Sequence, residues 1–272
     1  MRLSERDQAV IRDINRFRVM DRDTVAELHF SHLKRPVNSA NAVLKRLVAN
    51  GNIRRSDAFG TPFLYLSADS KIKKDSSKIG HYLAILGVYK EMLRYGDILQ
   101  FQVEPRFGGK GTVEPDVFCI FRKHGRKDKA ALFIEVQKTV YSQRTMQSKL
   151  ERYLQLYESD VISKEPWQPE NKPSIFPRIL ILSEQRFALD SSYPFSVIQA
   201  PSFGHLIESL KSPASEPQQP IQSRSEAISQ PIEKPKPTFQ SHTHTNSVPH
   251  FTSPETQIYF NSRSISAQKG SK

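Results

Sequence analysis

Hydrophobic positions divide the chain into two patterned regions and a polar end. Between residues 3 and 67 the apolar residues recur first at helical spacing and then at alternating positions. From 79 to 211 a helix is followed by three strands, a second helix and a further strand. This last strand, at 178–183, is expected to pair in parallel through a right-handed crossover. Residues 212–272 are rich in Pro, Ser, Gln, Thr and His and poor in aliphatic residues, which predicts disorder. The pattern predicts an α/β protein with a small N-terminal domain, a linker over 69–78 and a larger α/β domain.

The N-terminal region carries the signals of three helices and a hairpin. Ser4, followed three residues later by Asp7, is typical of a helix start. The third predicted helix spans 37–50, and the residues expected to turn inwards are Ala40, Val43, Leu44, Leu47 and Val48. Alternating segments at 53–56 and 62–66 predict two strands joined by a turn. This order resembles a winged helix-turn-helix, a module in which the third helix enters the major groove of DNA and the hairpin reaches the flanking backbone.

Side chains predicted to face outwards from this region suit base edges and phosphates. They are Asn38, Ser39, Asn41, Lys45 and Arg46 on the third helix, and Arg54 and Arg55 on the hairpin. The whole chain has a formal net charge of +12 and a pI near 9.7, which favours a polyanionic partner. Double-stranded DNA is therefore the partner expected for domain 1–68, although the same fold also serves as a protein–protein module.

Two segments of the second region, 114–121 and 131–138, read as the strands of a hairpin. Because side chains alternate along a strand, Glu135 and Gln137 lie on the same face, and Asp116 opens the neighbouring strand. Carboxylate oxygens are the ligands that Mg²⁺ prefers. The sequence therefore predicts a Mg²⁺ site at Asp116 and Glu135.

The spacing of these residues is similar to the PD-(D/E)xK nuclease signature, in which a final Lys positions or polarises the attacking water. Here Gln137 stands at that position, and Lys138 faces the opposite side of an ideal strand. Lys149, on a helix predicted over 142–158, is a replacement cation. If the site is active, the reaction is metal-assisted hydrolysis of a phosphodiester. The candidate catalytic residues are then Asp116, Glu135, Gln137 and Lys149. Gln137 argues against full activity, so the sequence leaves open whether the protein is an enzyme.

Other sequence features exclude several classes of protein. The single cysteine, Cys119, lies in an apolar strand, so neither a disulfide framework nor a cysteine-rich zinc site is expected. No apolar run reaches the length of a membrane span, and the first residues are charged. We therefore expect a cytoplasmic protein with no membrane partner. The glycine-rich segment 107–111 lacks the ending of a phosphate-binding loop.

Taken over residues 5–210, the chain resembles the replication-relaxation family of plasmids and conjugative elements. The resemblance is carried by the winged-helix pattern and by three short motifs. These are Pro115-Asp116, Glu135-Val136 and Lys149-Leu150-x-x-Tyr153. It implies DNA binding in plasmid replication, DNA relaxation or conjugative transfer, with replication or relaxosome proteins as further partners. In that family the Glu is commonly followed two positions later by Asp, and Gln137 departs from this. The alternatives are a non-catalytic accessory scaffold, or a transcription regulator whose second domain binds an effector or forms a homodimer.

Overall fold

A computed structural model describes residues 2–58, 60–109, 111–138, 142–190 and 192–210. Helices and two β-sheets are present in these ranges, so the mixed α/β class expected from the sequence is observed. In chain order the elements are α1 (Glu5–Phe17), β1 (Val19–Asp21), α2 (Arg22–Phe30), α3 (Pro36–Ala49), β2 (Ile53–Ser56), β3 (Leu64–Ser67), α4 (Lys78–Leu93), β4 (Gly96–Val103), β5 (Val117–Lys123), β6 (Ala130–Val136), α5 (Gln143–Glu158), a 3₁₀ turn (Ile162–Lys164), β7 (Arg178–Leu182), β8 (Val197–Ala200) and α6 (Phe203–Ser209). The tail predicted at 212–272 lies outside the described residues.

The N-terminal part combines three helices with a three-stranded antiparallel sheet of order β1-β3-β2. Helix α1 begins as predicted, because the Ser4 hydroxyl accepts from the Asp7 N–H at 3.1 Å and the Asp7 carboxylate accepts from the Ser4 N–H at 3.0 Å. The predicted hairpin is formed by β2 and β3. Strand β1 was not predicted, since its three residues are too few to show alternation.

Helix α3 packs one apolar face against α2 and strand β2. Its residues Ala40, Leu44 and Leu47 are buried, and Val43 and Val48 pack at the margin of the same core. Pro36 occupies the first turn, where its missing N–H costs no hydrogen bond. The inward face predicted for this helix is confirmed.

The C-terminal part is a five-stranded mixed sheet of order β4-β5-β6-β7-β8. Strands β4, β5 and β6 pair antiparallel, whereas β6, β7 and β8 pair parallel, which confirms the predicted parallel return of β7. Alternate residues of β6 face opposite layers: Leu132 and Ile134 pack with α4 and α6, and Phe133 packs with α5. The sheet therefore lies between helices on both faces.

The two parts share one continuous core. Phe17 of α1 contacts Tyr89 of α4 and Phe101 of β4, with ring centroids 4.9 and 5.8 Å apart. Lys90 of α4 forms an ion pair with Glu27 of α2 at 2.5 Å. The described residues accordingly belong to one compact unit.

The segment predicted as a linker, 69–78, is bound to strand β2. The Arg54 guanidinium donates to the Ser70 carbonyl at 2.6 Å, and the Ser56 hydroxyl donates to the Lys74 carbonyl at 2.7 Å. The segment thus joins the two parts while lying against one of them. Among the described residues, no helix is both long and apolar enough to cross a membrane.

Candidate functional site

Two carboxylates meet where β5 begins and β6 ends. The antiparallel register pairs Val117 with Ile134, which places Asp116 opposite Glu135. One oxygen of Asp116, Oδ2, accepts from the Val136 N–H at 2.7 Å, and this bond fixes the carboxylate beside β6. Glu135 is 1% exposed and points towards α5. A carboxylate this deeply buried needs compensating partners.

Helix α5 supplies those partners from residues one turn apart. The Lys149 ammonium forms an ion pair with Oε2 of Glu135 and lies 4.0 Å from Oδ1 of Asp116. The Tyr153 hydroxyl donates to Oε1 of Glu135 at 2.5 Å. Both oxygens of Glu135 are therefore engaged by α5. The helical spacing of Lys149 and Tyr153 was visible in the sequence, but the contact of Tyr153 with Glu135 was not assigned.

Helix α4 contributes a histidine that sequence reasoning did not place in the site. The Nε2 atom of His81 lies 3.4 Å from Oδ1 of Asp116. Next to it, the Tyr82 hydroxyl donates to Glu104 at 2.9 Å, and the Glu104 N–H donates to the Asp116 carbonyl at 2.9 Å. The periodicity of α4 predicts a helix but does not reveal which strand end its first turn meets.

Lys138 reaches the first turn of α4 from the other side of β6. A Cβ atom added at Gly80 would lie 3.0 Å from the Lys138 Nζ, so the absence of a side chain at Gly80 makes room for it. Gln137 is half-buried, and its backbone N–H donates to the Leu182 carbonyl at 2.9 Å. In the described part of the chain, the Gln137 amide forms no hydrogen bond with the Asp116 or Glu135 carboxylate.

The buried charges shift each other's pKa values. Burial raises the pKa of Glu135 to about 7, and the charge of Asp116 adds to this, while Lys149 and Tyr153 offset part of the rise. Burial alone would raise the pKa of Asp116, but the bond from His81 and the charge of Lys149 outweigh it and lower that pKa. The bond with Asp116 in turn raises the pKa of His81. Asp116 is therefore ionised at neutral pH.

The arrangement of these residues does not fit Mg²⁺. The positive charge between the two carboxylates is the Lys149 ammonium. The Tyr153 hydroxyl donates to the other oxygen of Glu135, and the Val136 N–H donates to Oδ2 of Asp116. Within the described ranges, no group of three or more His, Cys, Asp or Glu side chains is placed to hold a metal ion. The structure thus brings together Asp116, Glu135 and Lys149, and with His81 the formal charges of the cluster cancel when all four groups are ionised.

A second candidate surface is the outer face of α3. Asn38, Asn41 and Lys45 are exposed at spacings of three and four residues, which places them on one side of the helix. The exposed basic pair Lys34 and Arg35 precedes this helix and was not singled out from the sequence. They could have been found in the sequence, because two consecutive basic residues stand just before the start of the predicted helix. Ser39, predicted to face outwards, is half-buried.

The three predicted arginines differ in what they contact. Arg46 forms an ion pair with Asp7, which is 3% exposed, so its guanidinium is directed back to α1. Arg54 donates to the backbone carbonyls of Ser67, Ser70 and Ile72. Arg55 remains exposed, lies 4.4 Å over the Phe63 ring and forms an ion pair with Asp57 at 2.8 Å. Arg46 and Arg54 therefore make contacts within the fold, with the Arg46 side chain still 39% exposed, and Arg55 makes its ion pair at the surface.

Comparisons with protein-family models, with curated proteins and with solved structures found no match to this chain. Its function is therefore inferred from side-chain placement and charge.

Proposed function

We propose that the protein binds double-stranded DNA through α3 and the β2–β3 hairpin, and that it acts in the replication, relaxation or conjugative transfer of a plasmid or other mobile element. The exposed face of α3 is the observation that carries the proposal. This face combines Asn38 and Asn41 with Lys45, and the helix contains no acidic residue. Amide side chains pair with base edges, and an ammonium neutralises a backbone phosphate.

The order of elements in the N-terminal part supports this proposal. Three helices surround a sheet of order β1-β3-β2, and the β2–β3 hairpin follows α3 directly. In a winged helix the corresponding helix lies in the major groove and the hairpin contacts the adjacent backbone. Arg55 is the exposed cation of that hairpin.

The C-terminal part supports a nuclease-like assignment. Its elements follow the order α4-β4-β5-β6-α5-β7, with an acid before the second strand, an acid in the third and a lysine on the next helix. Phosphodiester hydrolysis is thus a second candidate function, favoured by the convergence of Asp116, Glu135 and Lys149. In that reaction Lys149 would bind phosphate and Gln137 would position water. Because the cluster does not fit Mg²⁺, we propose that the function is DNA recognition and that the α/β part supports the DNA-binding helix and hairpin.

The proposal is tested by a matched pair of variants on α3. Lys45→Ala removes an exposed cation and is expected to weaken DNA binding and reduce the salt dependence of the association constant by about one unit of slope. Arg46→Ala removes the same charge from the next residue but breaks the ion pair with Asp7. Arg46→Ala is therefore expected to lower the thermal stability of the fold more than Lys45→Ala does. It is expected to lower the affinity for DNA less than Lys45→Ala does.

Binding is measured by fluorescence anisotropy on a duplex pool over a range of salt concentrations. Lys127→Ala, on the exposed turn between β5 and β6, serves as a control for the loss of net charge. The combined variant Asn38→Ala/Asn41→Ala/Lys45→Ala is expected to bind most weakly. Wild-type affinity in that variant would refute the assignment of α3 as the DNA-contacting helix.

The second candidate function is tested on supercoiled plasmid, incubated with Mg²⁺, with Mn²⁺ or with chelator. Nicking that depends on metal and is lost in Asp116→Asn and Glu135→Gln would establish hydrolysis. Retardation of the plasmid without nicking, equal in all three proteins, is the result expected for recognition.

A further inference from the structure

The cluster of buried charges at the end of β6 is balanced without any added ion. Two cationic side chains, His81 and Lys149, face two carboxylates, Asp116 and Glu135, so their formal charges cancel when all four are ionised. The Lys149 side chain is 13% exposed and Glu135 is almost completely buried. A divalent cation entering beside Lys149 would therefore add two positive charges to a neutral and poorly solvated cluster.

Lys149 is held in this position by the packing of its helix. Met146, Leu150 and Tyr153 lie on the same side of α5 and are buried against the sheet. Their packing directs Lys149 towards the strand ends that carry Asp116 and Glu135. The packing therefore fixes the Lys149 backbone beside the strand ends, and the ion pair with Glu135 holds the ammonium there.

We infer that the Lys149 ammonium occupies the position a divalent cation would take between Asp116 and Glu135, so that the wild-type protein excludes Mg²⁺ and Mn²⁺. The site is a latent site for a hard divalent cation, and Lys149 is the residue that closes it. This inference rests on the nuclease-like assignment proposed above, since it assigns the two carboxylates the role of ligands once the ammonium is removed.

The identity of residue 137 agrees with this arrangement. The strand position that carries Lys in the nuclease signature is Gln137, an uncharged residue. The positive charge that compensates Glu135 comes instead from α5, where it makes direct contact with the carboxylate. In this contact the Lys149 ammonium compensates the carboxylates that would otherwise bind a metal. The hard oxygen donors that Mg²⁺ needs are therefore already paired with protein groups.

The inference is tested by measuring Mn²⁺ binding to the full chain, using the electron paramagnetic resonance signal of free Mn²⁺. The proteins are the wild type, Lys149→Met, Lys149→Gln and Lys149→Arg. We expect no binding to the wild type or to Lys149→Arg, which keeps the positive charge. Lys149→Met and Lys149→Gln should gain a Mn²⁺ site that binds at least about tenfold more tightly than the weakest binding the assay detects, because the ammonium is removed from the position of the ion. Adding Asp116→Asn to either variant should abolish the gain.

Thermal unfolding with and without Mn²⁺ provides a second readout, because an ion that binds only the folded state raises the melting temperature. The melting temperature of Lys149→Met or Lys149→Gln should rise with Mn²⁺, and that of the wild type should not. Stoichiometric Mn²⁺ binding to the wild type, lost in Asp116→Asn, would overturn the inference. It would also be overturned if neither neutral variant took up Mn²⁺, whether folded or unfolded. Both readouts are made without DNA, so their failure is separate from a failure of the α3 variants to alter DNA binding.

Discussion

Replacing Glu135 with alanine is expected to destabilise the fold strongly. The Glu135 carboxylate accepts from the Tyr153 hydroxyl and pairs with the Lys149 ammonium, and the Tyr153 side chain is completely buried. Alanine removes both interactions and leaves the hydroxyl and the ammonium without this carboxylate. The variant therefore loses one partner of a buried ion pair while the other partner stays in place.

The magnitude follows from the burial of the two partners. Removing one member of a buried ion pair typically costs about 3–5 kcal/mol of the free energy of unfolding. Lys149 retains 13% exposure and lies 4.0 Å from Asp116, which compensates part of its charge. We therefore expect a loss of about 3–4 kcal/mol, which includes the desolvation cost of the Tyr153 hydroxyl. With a typical denaturant dependence, the urea midpoint should fall by about 1–2 M.

The assay is urea unfolding followed by the fluorescence of Trp167, which contacts the Phe118 ring in the core beneath α5. Glu135→Gln keeps an oxygen that can accept from Tyr153 and should lose less stability than Glu135→Ala. The double variant Glu135→Leu/Lys149→Met removes both charges and should be more stable than Glu135→Ala, because no uncompensated ion is left buried. A Glu135→Ala midpoint within about 0.3 M of the wild type would refute the account of this cluster.

Two further predictions concern the packing of α6 and the pH dependence of stability. Gly204→Ala should destabilise by about 1–3 kcal/mol in urea unfolding, because its Cβ would lie 2.8 Å from both Glu91 Oε1 and Tyr95 Oη. Gly87→Ala in α4 should not destabilise the protein, because its Cβ would meet nothing within 4 Å. Equal losses of stability in the two variants would contradict the account of Gly204. Because the folded pKa of Glu135 is about 7 and its ordinary value is 4.5, the folded state binds the proton more tightly, and stability should fall as pH rises between these values. Urea unfolding measured across this pH range should show a smaller fall in the stability of Glu135→Gln than in that of the wild type. Parallel stability curves for the wild type and Glu135→Gln would argue against the raised pKa of Glu135.

The elements of the fold were largely predictable because their signals are local. Ser4 and Asp7 are three residues apart and cap α1 by themselves. The apolar face of α3 follows from the 3.6-residue period of the helix. The parallel pairing of β6 with β7 was predicted because a strand, a helix and a second strand normally connect in this way. Strand β1 was not predicted because three residues are too few to show alternation. Its pairing with β3 also joins positions more than forty residues apart.

The candidate site was predictable only in part. Alternation along β6 and the Pro-Asp motif placed Asp116 and Glu135 at neighbouring strand ends, and helical spacing placed Lys149 beside Tyr153. The sequence could not show that His81 meets Asp116, because that contact depends on how α4 crosses the sheet. It also could not show that Lys149 pairs directly with Glu135.

Most of the elements, the apolar face of α3 and the alternation that aligns the acids could be predicted from the sequence. These follow from periodicity and capping, which act over a few residues. Which charges neutralise each other depends instead on how the elements pack. Arg46 pairs with Asp7 across 39 positions, and Lys149 with Glu135 across 14. Such pairs form where separate elements meet in a poorly solvated interior, and burial there makes a compensating partner necessary.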